Sequence, residues 1–94
     1  MAKSEENVIF IGQKAAMNYV MACFTVIQSN VKELVIKARG KSISKAVDVL
    51  EILKNRFMKE QIKVVKIETG TEQIESKDRG TFSVSTMEIT AQIK

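Results

Sequence analysis

The sequence predicts a two-layer α+β domain, with two helices on one face of a four-stranded mixed sheet. Three observations support that fold class. Patterned segments follow one another in the order β-α-β-α-β-β, the first two strand-like runs are apolar almost throughout, and the last two are joined by a polar, glycine-punctuated stretch. Strands of nearly continuous apolar character usually sit inside a sheet under a helical cover, and a final pair linked by a hairpin is antiparallel.

Residues 1–6 read as a short flexible arm. Val8-Ile9-Phe10-Ile11, bounded by Asn7 and Gly12, has the pattern of a short buried strand. From Lys14 to about Ser29 the period becomes helical. Met17, Val20, Phe24 and Ile27 recur at spacings of three and four, with Asn18, Thr25 and Gln28 on a thinner polar side. Met21, Ala22 and Cys23 widen the apolar surface, so this helix is expected to be buried on more than one side.

Leu34-Val35-Ile36 with Ala38 forms the second strand. After Gly40, the residues Ile43, Ala46, Val47, Leu50, Leu53 and Phe57 mark a second helix, with Ser42 or Ser44 placed to cap it. Lys54, Arg56 and Lys59 gather in its last turns, where the helix dipole favours cations. From Ile62 the pattern is strand to the end. The apolar parity changes between Val64 and Val65 and again between Val84 and Met87, so each break predicts a bulge or strong twist. Between these breaks, 69–81 reads as the tip of a long hairpin arm projecting from the body.

The chain is expected to form one domain over residues 1–94, without repeats, low-complexity tracts or interdomain linkers. An apolar fraction of 45% and the absence of proline favour a folded chain. One cysteine and no histidine exclude a disulfide within the chain and a Cys/His zinc site, and no cofactor or metal is expected. Self-association is the remaining way to enlarge so small a core, so a homodimer is expected. No run reaches the roughly 18–20 apolar residues that span a bilayer. The polar, acidic opening lacks the marks of a cleavable signal. A cytoplasmic protein without membrane contact follows as the expectation, with Cys23 a reduced thiol.

Charge is unevenly distributed. Residues 1–31 are neutral, residues 32–66 carry ten basic side chains against four acidic ones (net +6), and residues 67–94 carry three against five (net −2). The positive field therefore originates mid-chain, where it can concentrate polyanions. Its densest segment is Lys37-Ala38-Arg39-Gly40-Lys41-Ser42-Ile43-Ser44-Lys45, at a strand-to-helix transition. Residues 37 and 39 share one face of a strand, Gly40 permits a sharp turn, and a helix N-terminus follows directly. Such a corner suits a sugar-phosphate backbone; the alternative is a solubilising strand end. Gly12-Gln13-Lys14 ends the first strand, and in a β-α-β unit it should lie beside Arg39-Gly40-Lys41.

Lys77 and Arg79 sit in the arm, where a groove contact is sterically possible, yet Glu72, Glu75 and Asp78 accompany them. Phe57, near a helix end among polar residues, reads as core filling or interface. Cys23 reads as inert packing. Catalysis is not expected: the chain has no histidine base, P-loop or GxSxG elbow, and Asp48, Glu51, Asp78 and Glu88 show no nuclease-like spacing.

Val8 to Gly12, Met17-Asn18-Tyr19-Val20, Ile36 to Asp48, Asn55-Arg56-Phe57 and Val84 to Ile89 together resemble the Alba family, the small basic chromatin proteins of archaea. The resemblance covers essentially the whole chain from Asn7. It implies the fold of the C-terminal domain of bacterial translation initiation factor three. It also implies homodimers that often pack dimer against dimer along DNA, and binding of double-stranded DNA and RNA with little sequence preference. On this resemblance, nucleic-acid contacts fall on Lys14, Arg39 and Lys41, supported by the hairpin arms, and Phe57 helps join neighbouring dimers. Many members carry two lysines after the first strand's glycine, the first being an acetylation site. Gln13 stands there in this chain, an uncharged neighbour of Lys14 in the candidate contact set, and Ala15 replaces a common proline.

The resulting expectation is a chromosome-associated, non-enzymatic protein that coats or bridges duplexes. Lys14, Arg39 and Lys41 hold phosphates, while Lys37 and Lys45 widen the field. The alternatives are an RNA-binding module of a ribonucleoprotein, and a structural or protein-interaction domain.

Overall fold

The parallel β-α-β start and the antiparallel finish expected from the residue pattern are both present. In a computed structural model, which describes residues 7–78 and 80–94, β1 spans Val8–Phe10, α1 Ala16–Gln28, β2 Glu33–Arg39, α2 Ser42–Ile52, β3 Ile62–Ser76 and β4 Gly80–Ile93. The N-terminal arm and Arg79 lie outside the described residues. The sheet order is β1-β2-β4-β3, with β1 parallel to β2 and the other neighbours antiparallel.

Alternation along β2 sets the two layers. Leu34, Ile36 and Ala38 point into the core beneath the helices, whereas Val35, Lys37 and Arg39 lie on the opposite, open face. From the helices, Val20, Cys23 and Ile27 of α1 and Ala46, Val49 and Leu50 of α2 complete the core, joined by Ile89 and Ala91 of β4. The α1 stripe is therefore centred on Cys23, with Phe24 at its border. Met17 and Met21, read from the sequence as part of the apolar surface, turn roughly a quarter-turn or more away and are exposed.

Four expectations change. β1 is a half-exposed edge strand rather than a buried one: among the described residues it has a neighbour on one side only, and Phe10 faces the open side at 67% exposure. Neither Ser42 nor Ser44 caps α2; Lys41 is the N-cap residue and the carbonyl of Gly40 accepts from Ile43 N–H at 3.2 Å. By contrast, the parity break at Val65 is a bulge as expected, since Val64 pairs with Ala91 while Lys66 pairs with Thr90. The break after Val84 is not. The ladder there is in continuous register, and the apolar residues change faces: Phe82 and Val84 lie on the open face, Met87 and Ile89 on the helical one. The polar stretch within 69–81 is also mostly paired strand, with β3 running to Ser76 and β4 starting at Gly80.

A π-helical turn, Leu53–Phe57, continues α2, and Met58 N–H donates to Leu53 O at 2.9 Å. The wider turn keeps both Leu53 and Met58 buried. Phe57 packs against Phe24 at 5.6 Å between ring centroids while remaining 38% exposed.

Cys23 has no exposed surface, and burial pushes its thiol from an ordinary 9.0 up to about 12. The neutral thiol is thus favoured in the folded state. Its contribution is fully present below pH 9 and is lost as pH rises toward 12, because the unfolded chain ionises first. Denaturant unfolding across that alkaline window is expected to show a steeper fall in stability for the wild type than for Cys23→Ala; parallel slopes contradict the assignment.

Candidate nucleic-acid interface

Parallel pairing places the C-terminal ends of β1 and β2 at one edge of the sheet. Phe10 is in register with Lys37, and Ile11 N–H donates to Lys37 O at 2.9 Å, so the segments after each strand leave side by side. Gly12 starts the first loop. A Cβ there would lie 3.1 Å from the Tyr19 hydroxyl, which itself accepts from Lys14 N–H at 3.1 Å. Gly40 makes the second turn with φ +56°, left-handed backbone that a side chain would strain, and its N–H donates to Ser85 O at 2.8 Å.

Lys45 joins the two corners. From the first turn of α2 its ammonium donates to Gly12 O at 2.9 Å and Lys14 O at 2.7 Å. Its charge remains at the edge, but two of its three donors hold the loop that presents Lys14. Sequence reasoning placed Lys45 in the field and missed this staple. The available signal was a cation in the first turn of a helix, where the dipole is unfavourable unless acceptors compensate.

The candidate cations fall into distinct environments. Lys14 and Lys41 are exposed, as is Gln13 beside them. Among the described residues no carboxylate lies within ion-pair distance of Lys14 or Lys41. Lys37 and Arg39 lie on the open face and both meet carboxylates. The Lys37 ammonium is 3.8 Å from Glu88 Oε1 and 5.8 Å from the centroid of the Phe10 ring, and Arg39 Nη1 donates to Glu72 Oε1. A cleft of about 770 Å³ opens here between Phe10 and the root of the arm. Lys77 is exposed in the turn at the far end of the arm, and its neighbour Arg79 is outside the described residues. Phe57 lies at the opposite end of the second helix from Lys41, roughly 24 Å along the helical rise.

No helix among the described residues is long and apolar enough to cross a membrane. They also contain no cluster of three or more His, Cys, Asp or Glu side chains able to hold a metal.

Fold and edge together define a two-layer α+β domain whose parallel strand ends carry a basic corner. The Alba family model matches residues 7–71, and the chain belongs to the Alba family. Alba from Thermoplasma volcanium is 45% identical, with a TM-score of 0.85 over 92% of this chain and 99% of that one. ALBA1 from Trypanosoma brucei is 25% identical, with a TM-score of 0.75 over 94% of this chain and 69% of that one. The family is a non-enzymatic one that generally binds nucleic acid, and its members often form dimers.

Replacing Lys45 by Met retains the aliphatic stem and removes both donors. The expected result is a loss of about 1–3 kcal/mol in denaturant unfolding, since hydrogen bonds from a charged group are worth that much. Amide exchange around Gly12 and Lys14 should accelerate; unchanged exchange there would contradict the staple.

Proposed function

We propose that this chain binds double-stranded DNA and RNA without sequence preference, as a homodimer that coats or bridges duplexes as an archaeal chromatin protein. The observation that carries the reading is the adjacency of two cationic corners, Lys14 on one and Arg39 with Lys41 on the other, joined by Lys45. Exposed ammonium groups of Lys14 and Lys41 pair with phosphates without strict geometry, and the Arg39 fork can take two phosphate oxygens. The N-terminal end of α2 lies behind the second corner and adds its positive dipole end. Lys37 and Lys45 strengthen the field, Gln13 borders the Lys14 contact, and Lys77 offers a contact from the arm. Phosphate contacts fix position but carry no sequence information directly.

A second copy has apolar surface to cover. Val47 on α2 is 41% exposed, and Ile67 on β3 is 56% exposed although it pairs with buried Ile89 on the helical face. Ile67 thus continues the core face beyond the cover of its own helices. In a 94-residue chain with a small core, burying that face against a partner adds hydrophobic stabilisation. Phe57, half-exposed at the far helix end, is the proposed contact between neighbouring dimers. Such assemblies would reside on the chromosome, in the cytoplasm.

Salt-resolved titrations on matched DNA and RNA duplexes test the reading. Affinity should fall linearly with salt on a log–log scale, with little change between sequences. The Arg39→Gln/Lys41→Gln double variant should weaken binding by about tenfold or more and reduce the salt slope by roughly two for each protomer that contacts the duplex. Unchanged affinity and slope would remove the corner from the interface. A flat salt response would favour the protein-interaction alternative, and retention of RNA alone would favour the ribonucleoprotein one.

A further inference from the structure

Arg39 differs from the other two cations of the corner because the protein already occupies it. Its guanidinium crosses the open face of β4 to the arm, where Nη1 donates to Glu72 Oε1. The register explains how it reaches. Arg39, Thr86 and Gly70 stand in one row across β2, β4 and β3, and Glu72 is two residues along β3 on the same face. Residue 70 carries no side chain, and a Cβ there would lie 3.1 Å from Thr86 Oγ1, so the row stays low where the guanidinium passes.

A carboxylate and a phosphate present the same feature to arginine, a pair of anionic oxygens matched to the planar fork. The pattern repeats on this face: Glu88 meets Lys37 at 3.8 Å and Glu68 meets Lys66 at 3.4 Å. The root of the arm therefore neutralises cations on the open face, in keeping with the net negative charge of residues 67–94.

We infer that Glu72 is a built-in competitor for Arg39, so that a phosphate gains this contact by exchange with the arm's carboxylate. The inference rests on the phosphate-binding reading above and adds an affinity-determining residue to it. Lys14 and Lys41 engage phosphate directly, while Arg39 contributes only the difference between its phosphate and Glu72 partners. Glu72 and Arg39 are about half exposed, and exchange between exposed pairs is fast and weakly opposed. The arm thus sets the strength of the corner without blocking it.

The test compares Glu72→Gln with Glu75→Gln, each in wild-type and Arg39→Gln backgrounds, by titration of a short DNA duplex at fixed salt. Glu75 is the matched control: it carries the same charge on the same strand, but pairs with Thr81 on the other face. Glu72→Gln is expected to tighten binding about three- to fivefold and Glu75→Gln by no more than about twofold. In the Arg39→Gln background the advantage of Glu72→Gln over Glu75→Gln should vanish. Equal gains from the two variants in the wild-type background, or weaker binding by Glu72→Gln, would overturn the exchange while leaving the phosphate reading intact. No duplex binding by the wild type would overturn both.

Discussion

Parallel pairing of β1 with β2 is the constraint on which the candidate site depends. Two parallel strands joined by a helical crossover must end at the same edge of the sheet, so the loop after each emerges beside the other. Antiparallel pairing would send those loops to opposite ends, and no basic corner would form. β1 contributes only three residues of ladder. The buried side chain of Ile11 and the partly buried Ile9 anchor it to the core, and Lys45 ties the following loop to α2. Packing and one ammonium group together hold what a short edge strand alone could not.

That arrangement gives similar residue types three separate roles. Lys45 is structural, holding carbonyls; Lys14 and Lys41 are exposed and meet no carboxylate among the described residues; Lys37 and Arg39 are held on the open face by carboxylates. A formal net charge of +4 conceals this division. Exposed ion pairs are worth about 0–1 kcal/mol, so the carboxylates of the arm moderate the field more than they lock it. The division ties the acidity of the arm to the strength of the corner, two features that look opposed when counted along the chain.

Much of this was legible in the residue pattern. The order of elements follows from the shift between strand-like and helical periods, and the bulge at Val65 from a broken alternation. The juxtaposition of Gly12–Lys14 with Arg39–Lys41 follows from β-α-β geometry. What escaped depends on neighbours distant in sequence. The exposure of Phe10 reflects the edge position of β1, the apolar face change after Val84 reflects where helical cover ends, and the reach of Arg39 to Glu72 spans three strands. The absent serine cap had a local rival: Gly40 closes the turn with its own carbonyl, and Lys41 takes the cap position. Periodicity reports which face of an element is apolar, but not what lies across from it.

The central claim is that a folded edge, assembled from two separated loops, meets the nucleic acid. Mapping backbone amide NMR shifts during titration with a short duplex addresses it most directly. The largest changes should cluster at residues 12–14 and 39–45 together, saturating with a single apparent affinity. Changes centred on the exposed flank of α1 around Met17 and Met21, with those two loops silent, would contradict it.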